Sequence, residues 1–323
     1  MKKRDIAIAL GGAVGAAVAV KMLTRPRTVN WEDVRSLVPH SDHSHFVSVD
    51  GVRIHFQEFG DAKNPAVILI HGYRSSLFAW RSAAPRLADN GFRTIAVDLV
   101  GFGYSSKPHW FEYSIQSQAR VISRLMDVLG LGRASIVGSS YGGAIASVLA
   151  LDYAERVEKL VLADAVINDG PKNHPILRLV SVPVLGEAIT PFLADSRALL
   201  RSRMHNTLAK PNHHLITEER VENILRPDRA ADAHHSLLAS ARNWHANRVE
   251  QDAHLITQPT LIIWGEDDTV TPLSDGYKLH SSIADSKLVV LRDCGHTPQE
   301  EKPHMFSKLV ADFCHGSKEL AAG

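Results

Sequence analysis

From residue 46 onward the chain alternates between short runs of apolar, often β-branched residues and longer stretches in which apolar residues recur every three or four positions. The runs fall at 46–49, 52–59, 66–70, 94–97, 134–137, 160–163, 261–264 and 288–291. Several are continuous apolar runs without the alternation of a half-exposed strand, which predicts strands buried on both faces. The first two are separated only by Asp50-Gly51, a pair that reads as a tight hairpin turn. Between later runs, Ile115, Ala119, Ile122, Leu125, Met126 and Leu129 follow helical spacing and put one apolar stripe against a sheet. Strand and helix in alternation imply a mostly parallel sheet.

That alternation lapses once. Between Asp164 and Thr260 the sequence is compatible with helices and contains no convincing strand, so residues 166–252 are expected to form a helical cap inserted into the core. Its apolar stretch from 176 to 193 is interrupted by Pro183 and Pro191, which should break it into short pieces. This stretch is expected to pack the cap onto the core, with a greasy entrance for acyl chains as the sharper alternative.

The N-terminus has a different texture. Lys2, Lys3 and Arg4 precede an apolar and glycine run at 6–20, which Met22 and Leu23 extend past Lys21. Residues 1–28 are therefore read as a membrane anchor near the short limit for a spanning helix. The alternative is a cleaved export signal ending in Ala17-Val18-Ala19. Residues 29–45 are read as a linker. The expected location is at a membrane, held by this single segment, with export after cleavage as the alternative.

Composition narrows the partners. Lys plus Arg number 36 against 35 Asp plus Glu, so no global field draws the chain to nucleic acid. Its only cysteines, Cys294 and Cys314, form no C-x-x-C pair and suggest neither a disulfide framework nor a thiolate metal site. Among 18 histidines, His40, His43 and His45 cluster, but no predicted element there fixes a ligand geometry. No metal site is assigned.

The strongest chemical signal follows the run at 134–137. Gly138-Ser139-Ser140-Tyr141-Gly142-Gly143 leads into a small-residue helical run, giving G-x-S-x-G between a strand and a helix. A nucleophile raised on so sharp a turn leaves no room for neighbouring side chains, which is why glycines flank it. Ser140 is the expected nucleophile. A serine hydroxyl needs a base to take its proton, and that base needs an acceptor to hold its tautomer. His296, on the loop Cys294-Gly295-His296-Thr297-Pro298 after the last strand, is the expected base. Asp268 is the expected acid, because the strand at 261–264 runs into Gly265-Glu266-Asp267-Asp268 at the edge where catalytic groups gather. Asp164, one strand earlier, is its rival. For the oxyanion the expected donors are the backbone N–H of Tyr141, directly after the nucleophile, and that of Tyr73 in His71-Gly72-Tyr73. His71 is expected to orient that loop without titrating in catalysis.

With these pieces assembled the sequence resembles the α/β-hydrolase superfamily from Phe46 to Cys314. The resemblance rests on His71-Gly72 with Trp80, Asp98-Leu99-Val100-Gly101-Phe102-Gly103-Tyr104-Ser105, Gly138 to Gly143, Trp264 to Asp268, and Gly295-His296 with Pro298, Glu301 and Pro303. It implies an α/β fold: a mostly parallel eight-stranded sheet flanked by helices, with core segments 46–165 and 253–318 and the cap after the sixth strand. It also implies no cofactor, and its spacing of acid from glycine favours Asp268 over Asp267. Family members with aspartate nucleophiles, the epoxide hydrolases and haloalkane dehalogenases, are disfavoured by Ser140. The expected activity is hydrolysis of small-molecule carboxylic esters, lipid-like ones included, through an acyl-enzyme. The alternatives are a carbon–carbon bond hydrolase of aromatic ring-fission products and a catalytically silent ligand-binding relative. Ring-fission hydrolases usually carry an aromatic residue after the histidine, where this chain has Thr297.

Overall fold

The computed structural model describes residues 28–316. Through them runs one eight-stranded sheet in the order β1-β2-β4-β3-β5-β6-β7-β8. The strands are β1 Ser44–Val49, β2 Val52–Phe59, β3 Ala66–Ile70, β4 Arg93–Val97, β5 Ala134–Ser139, β6 Val157–Ala163, β7 Thr260–Gly265 and β8 Ser286–Leu291. β2 pairs antiparallel with β1 and β4, and every other neighbouring pair is parallel. The β1–β2 turn places Asp50 at φ 48° and Gly51 at φ 80°, the two positive values that let a two-residue turn follow the strand twist.

Strand periodicity divides the core into two layers. Ile68, Ile70, Ile95, Val97, Ile136, Leu160, Leu162 and Ile262 pack with α2 (Ile115–Val128) and α3 (Tyr141–Asp152). The alternate positions Val67, Leu69, Ala96, Val137, Val161, Leu261 and Ile263 pack with α1 (Ala83–Asp89) and α11 (Pro303–His315). Central strands β3, β5 and β7 are buried throughout, as continuous apolar runs require, whereas edge strands β1 and β8 mix exposed and buried positions. Ser114 starts α2 by accepting a hydrogen bond from the N–H of Ser117 at 3.1 Å.

Between β6 and β7 lie the cap helices α4 (Pro175–Ser181), α5 (Leu185–Ala194), α6 (Arg197–Thr207), α7 (Glu218–Leu225) and α8 (Ala231–Arg242), then α9 (Asn247–Asp252). Ser196 and Thr217 cap α6 and α7 through their side-chain oxygens. The expected break at Pro183 falls between α4 and α5, but Pro191 lies inside α5 and does not end it. Beyond β7, α10 (Leu273–Ser282) leads to β8.

The segment expected to be a linker is folded onto the core. It forms a helical turn at Trp31–Val34 and a 3-10 turn at Arg35–Leu37. The Trp31 ring meets Phe46, His55 and Tyr104 with centroids 5.3, 4.9 and 5.2 Å away. One aromatic side chain in a polar stretch supplies this docking, ahead of the Phe46 start of the family resemblance. The expected membrane attachment is corrected: among the described residues no helix is long and apolar enough to cross a membrane. The segment at 6–23, on which both the anchor and the export signal depended, lies outside the described residues.

Candidate active site

The turn from β5 into α3 is built by close approach. A Cβ on Gly138 would stand 2.3 Å from the carbonyl oxygen of Gly142, and one on Gly142 would stand 2.2 Å from that of Ile70. Neither position admits a side chain. Ser140 sits between them at φ 55° and ψ −120°, outside the ordinary regions for a non-glycine residue. The strain is held by backbone hydrogen bonds from Ser140 N–H to Ala163 O at 2.9 Å and from Val166 N–H to Ser140 O at 3.0 Å.

Above this turn the three expected side chains meet. The Ser140 hydroxyl lies 2.9 Å from Nε2 of His296, and Nδ1 of His296 lies 2.8 Å from Oδ2 of Asp268. A carboxylate only accepts, so Nδ1 carries the proton and Nε2 is left to receive one from Ser140. Asp268 is further held by the N–H groups of Val270 and Thr271, at 2.7 and 3.2 Å, and by the Thr271 hydroxyl at 2.7 Å. Burial pushes its carboxyl pKa up, but the charge and hydrogen bond of His296 and the bonds from Thr271 and Val270 outweigh it, leaving Asp268 below the ordinary aspartate value. A serine, imidazole and carboxylate so arranged can pass a proton away from the serine oxygen as it attacks a carbonyl carbon.

The rival acid is differently placed. Asp164 is fully buried and accepts from the N–H of Gly265 at 2.8 Å. Burial first, and the neighbouring Asp268 second, raise its pKa well above the ordinary value. It stands beside the acid, while Asp268 is the one bonded to His296. Asp267, the other neighbour, donates its N–H to Cys294 O at 2.9 Å in the turn.

The two expected oxyanion donors flank Ser140. Tyr141 opens α3, where the first N–H groups have no intrahelical acceptor. Tyr73 follows Gly72, and a Cβ on Gly72 would stand 3.1 Å from the Cβ of Ser140, so this loop lies directly against the nucleophile. His71 braces it: Nδ1 donates to Gly72 O at 2.8 Å and Nε2 accepts from Leu99 N–H at 3.1 Å. Burial lowers the His71 pKa, which keeps it neutral for both bonds. His40 and His43 meet edge to face beside Phe59. His40 and His43 bond separately to the carbonyls of Arg81 and Glu58, and His45 stacks on Phe56. Among the described residues no group of three histidine, cysteine or acidic side chains could hold a metal ion.

Several residues at the site were not singled out from sequence. Glu301, quoted only as part of a motif, accepts from the N–H groups of Gly295, Thr297 and Ala209 and from the Asn212 amide, at 3.0, 3.2, 2.9 and 2.8 Å. It therefore ties the His296 loop to the cap. The His296 N–H also donates to Thr207 O at 2.8 Å. Trp244 brings its ring to 4.8 Å from Tyr141 and 5.5 Å from Tyr73. Arg74 reaches Asp228 in the cap at 3.4 Å. The bonds of Glu301 to Gly295 and Thr297 are local, whereas the Glu301–Asn212, His296–Thr207, Trp244 and Arg74–Asp228 contacts are long-range and have no local pattern to reveal them.

Comparison with known proteins agrees with this architecture. The α/β-hydrolase fold family's sequence profile matches residues 65–303. A 2-hydroxy-6-oxo-2,4-heptadienoate hydrolase of Pseudomonas putida is 31% identical over 83% of this chain and 94% of its own length. The structure of a meta-cleavage product hydrolase from Pseudomonas fluorescens superposes with a TM-score of 0.71 at 27% identity, covering 85% of this chain and 98% of that one. A membrane phospholipase A described as a bacterial virulence factor gives a TM-score of 0.72 at 25% identity, covering 98% and 99%. This chain belongs to the α/β-hydrolase family, and within it is a hydrolase.

Proposed function

We propose that the chain hydrolyses a carbon–carbon bond next to a ketone in a small dienoate of the meta-cleavage type, using Ser140 as nucleophile, His296 as base and Asp268 as its acid partner. The observation that carries the catalytic part is the continuous hydrogen-bonded chain from Ser140 through His296 to Asp268, at 2.9 and 2.8 Å. The bond type is supported by the curated relatives at 31 and 32% identity, which are named for 2-hydroxy-6-oxo-dienoates. The ester-first order expected from sequence is thereby reversed.

The same atoms serve each step. The Ser140 oxygen adds to the ketone carbon while His296 takes its proton, and the new oxyanion is met by the N–H groups of Tyr73 and Tyr141. With the 2-hydroxyl proton moved to the carbon beside the ketone, collapse breaks the carbon–carbon bond, its electron pair passes through the remaining double bond onto the 2-oxo oxygen, and His296 returns the proton to that fragment. Water, deprotonated by His296, then releases the acyl group from Ser140.

A second reading, ester hydrolysis, is favoured by two observations. Thr297 stands where ring-fission hydrolases usually carry an aromatic residue. The cap also exposes Ile176, Leu179, Val182, Val184, Leu185 and Phe192, an apolar face suited to acyl chains. Purified protein given 2-hydroxy-6-oxo-2,4-heptadienoate and, separately, nitrophenyl esters of rising chain length decides between the two. We expect loss of the dienoate absorbance at a kcat/KM above that for any ester. Ester turnover without dienoate turnover replaces the first reading by the second.

A further inference from the structure

We infer that Arg74 is a positioning residue that couples the cap to the oxyanion donor of Tyr73. The inference rests on the catalytic reading of Ser140 and holds for either substrate class. Arg74 stands directly after Tyr73, in the loop that Gly72 brings against Ser140. Its backbone has φ 53°, a left-handed value that costs an arginine energy and persists only when something holds it. What holds it lies in the cap. The guanidinium donates from Nη2 to Ala194 O at 2.5 Å and from Nε to Asp228 at 3.4 Å, with Leu193 O at 3.5 Å. Leu193 and Ala194 are in the last turn of α5, where carbonyls lack intrahelical donors and the helix dipole favours a cation.

A parallel tether precedes it in the chain. The Tyr73 hydroxyl donates to Leu237 O of α8 at 2.9 Å, and its ring packs on Trp244. Two consecutive residues of the oxyanion loop are thus fastened to α5, α8 and Asp228, whereas Gly72 just before them lies against the nucleophile. A peptide N–H aimed at a developing oxyanion loses its effect when displaced by a fraction of an ångström, so this fastening sets the rate of reaction at Ser140 more than the affinity for what is bound there. Asp228 is itself buried, and burial raises its pKa against the lowering influence of Arg74. The ion pair is therefore enclosed, with side-chain exposures of 16% and 12%, and is not a screened surface contact.

The test uses a fluorophosphonate, whose phosphorus accepts the Ser140 oxygen and expels fluoride, and needs no knowledge of the natural substrate. Full-length protein is compared with Arg74→Asn, which tolerates the backbone angle but lacks the reach, and with Arg74→Lys, which keeps a charge. Arg74→Asn should lower the saturating rate of phosphonylation about tenfold with little change in the half-saturating concentration. Arg74→Lys should recover part of the loss. If Arg74→Asn does not fold, Tyr73→Phe and Asp228→Asn should each slow phosphonylation in a folded protein. Saturating rates within about twofold of the parent, with only the melting temperature lowered, would overturn the inference and leave Arg74 a brace. Failure of the unmodified protein to react at Ser140 would instead overturn the catalytic reading itself.

Discussion

Ser140, Asp268 and His296 stand on three loops at the carboxyl ends of β5, β7 and β8, whereas the cap groups near them are carbonyls, amides, a carboxylate and an indole ring that hold those loops. Thr207 O and the Glu301 network fix the His296 loop, Ala194 O and Asp228 fix Arg74, and Leu237 O fixes Tyr73. The difference teaches where each kind of control resides. Reacting atoms are set by the ends of the sheet strands, and their fine alignment is set by the cap contacts. Damage to the sheet edge should remove the reaction, and damage to the cap contacts should detune it.

The largest effect belongs to the nucleophile. Ser140→Ala should reduce turnover by roughly 10⁴-fold or more, read as kcat on whichever substrate is found, with an unchanged melting temperature. Asp268→Asn should follow at about 10³- to 10⁴-fold, because an amide no longer secures the imidazole tautomer. The neighbouring Asp164→Asn should cost less than about tenfold, since that carboxyl bonds the N–H of Gly265 and not His296. If Asp164→Asn were the more damaging, the division between acid and neighbour would fail.

Cap contacts come next. Glu301→Gln should lower kcat by about tenfold and also lower the melting temperature, because a carboxylate accepting four donors is replaced by an amide that presents N–H to some of them. Full activity in this variant would break the claim that loop and cap act together.

The smallest effect is a pH dependence of stability. Asp164 has a raised pKa in the folded protein, so above the ordinary aspartate value of about 3.9 the folded state binds more protons than the unfolded one. Stability from this group therefore declines as pH rises from that value toward the folded pKa. Asp164→Asn removes the decline, and its melting temperature should gain on the parent as pH rises above that value. Asp268 works in the opposite sense. Its depressed pKa contributes stability at neutral pH that is lost as pH falls through the folded value.

The sheet was readable because its strands are buried runs bounded by turn residues: β2 and β3 fall at 52–59 and 66–70, as the apolar pattern places them. The meeting of Ser140, Asp268 and His296 was readable for the same reason, since each lies on a short loop at a strand end. The cap was readable only as helix. Helical periodicity says which residues face inward but not which loop they meet, so Arg74–Asp228 and Glu301–Asn212 carry no sequence signature. Pro191 misled because a proline can lie inside a helix when packing offsets its lost hydrogen bond. Residues 29–45 lie before the span of family resemblance, and the contacts of Trp31 with Phe46, His55 and Tyr104 carry no local signature.

Mass spectrometry of the fluorophosphonate-treated protein tests the central claim most directly. A single adduct should form on the peptide carrying Ser140, be absent in Ser140→Ala, and form far more slowly in His296→Ala with the fold intact. Labelling of a different residue, or none under conditions where other serine hydrolases react, would contradict it.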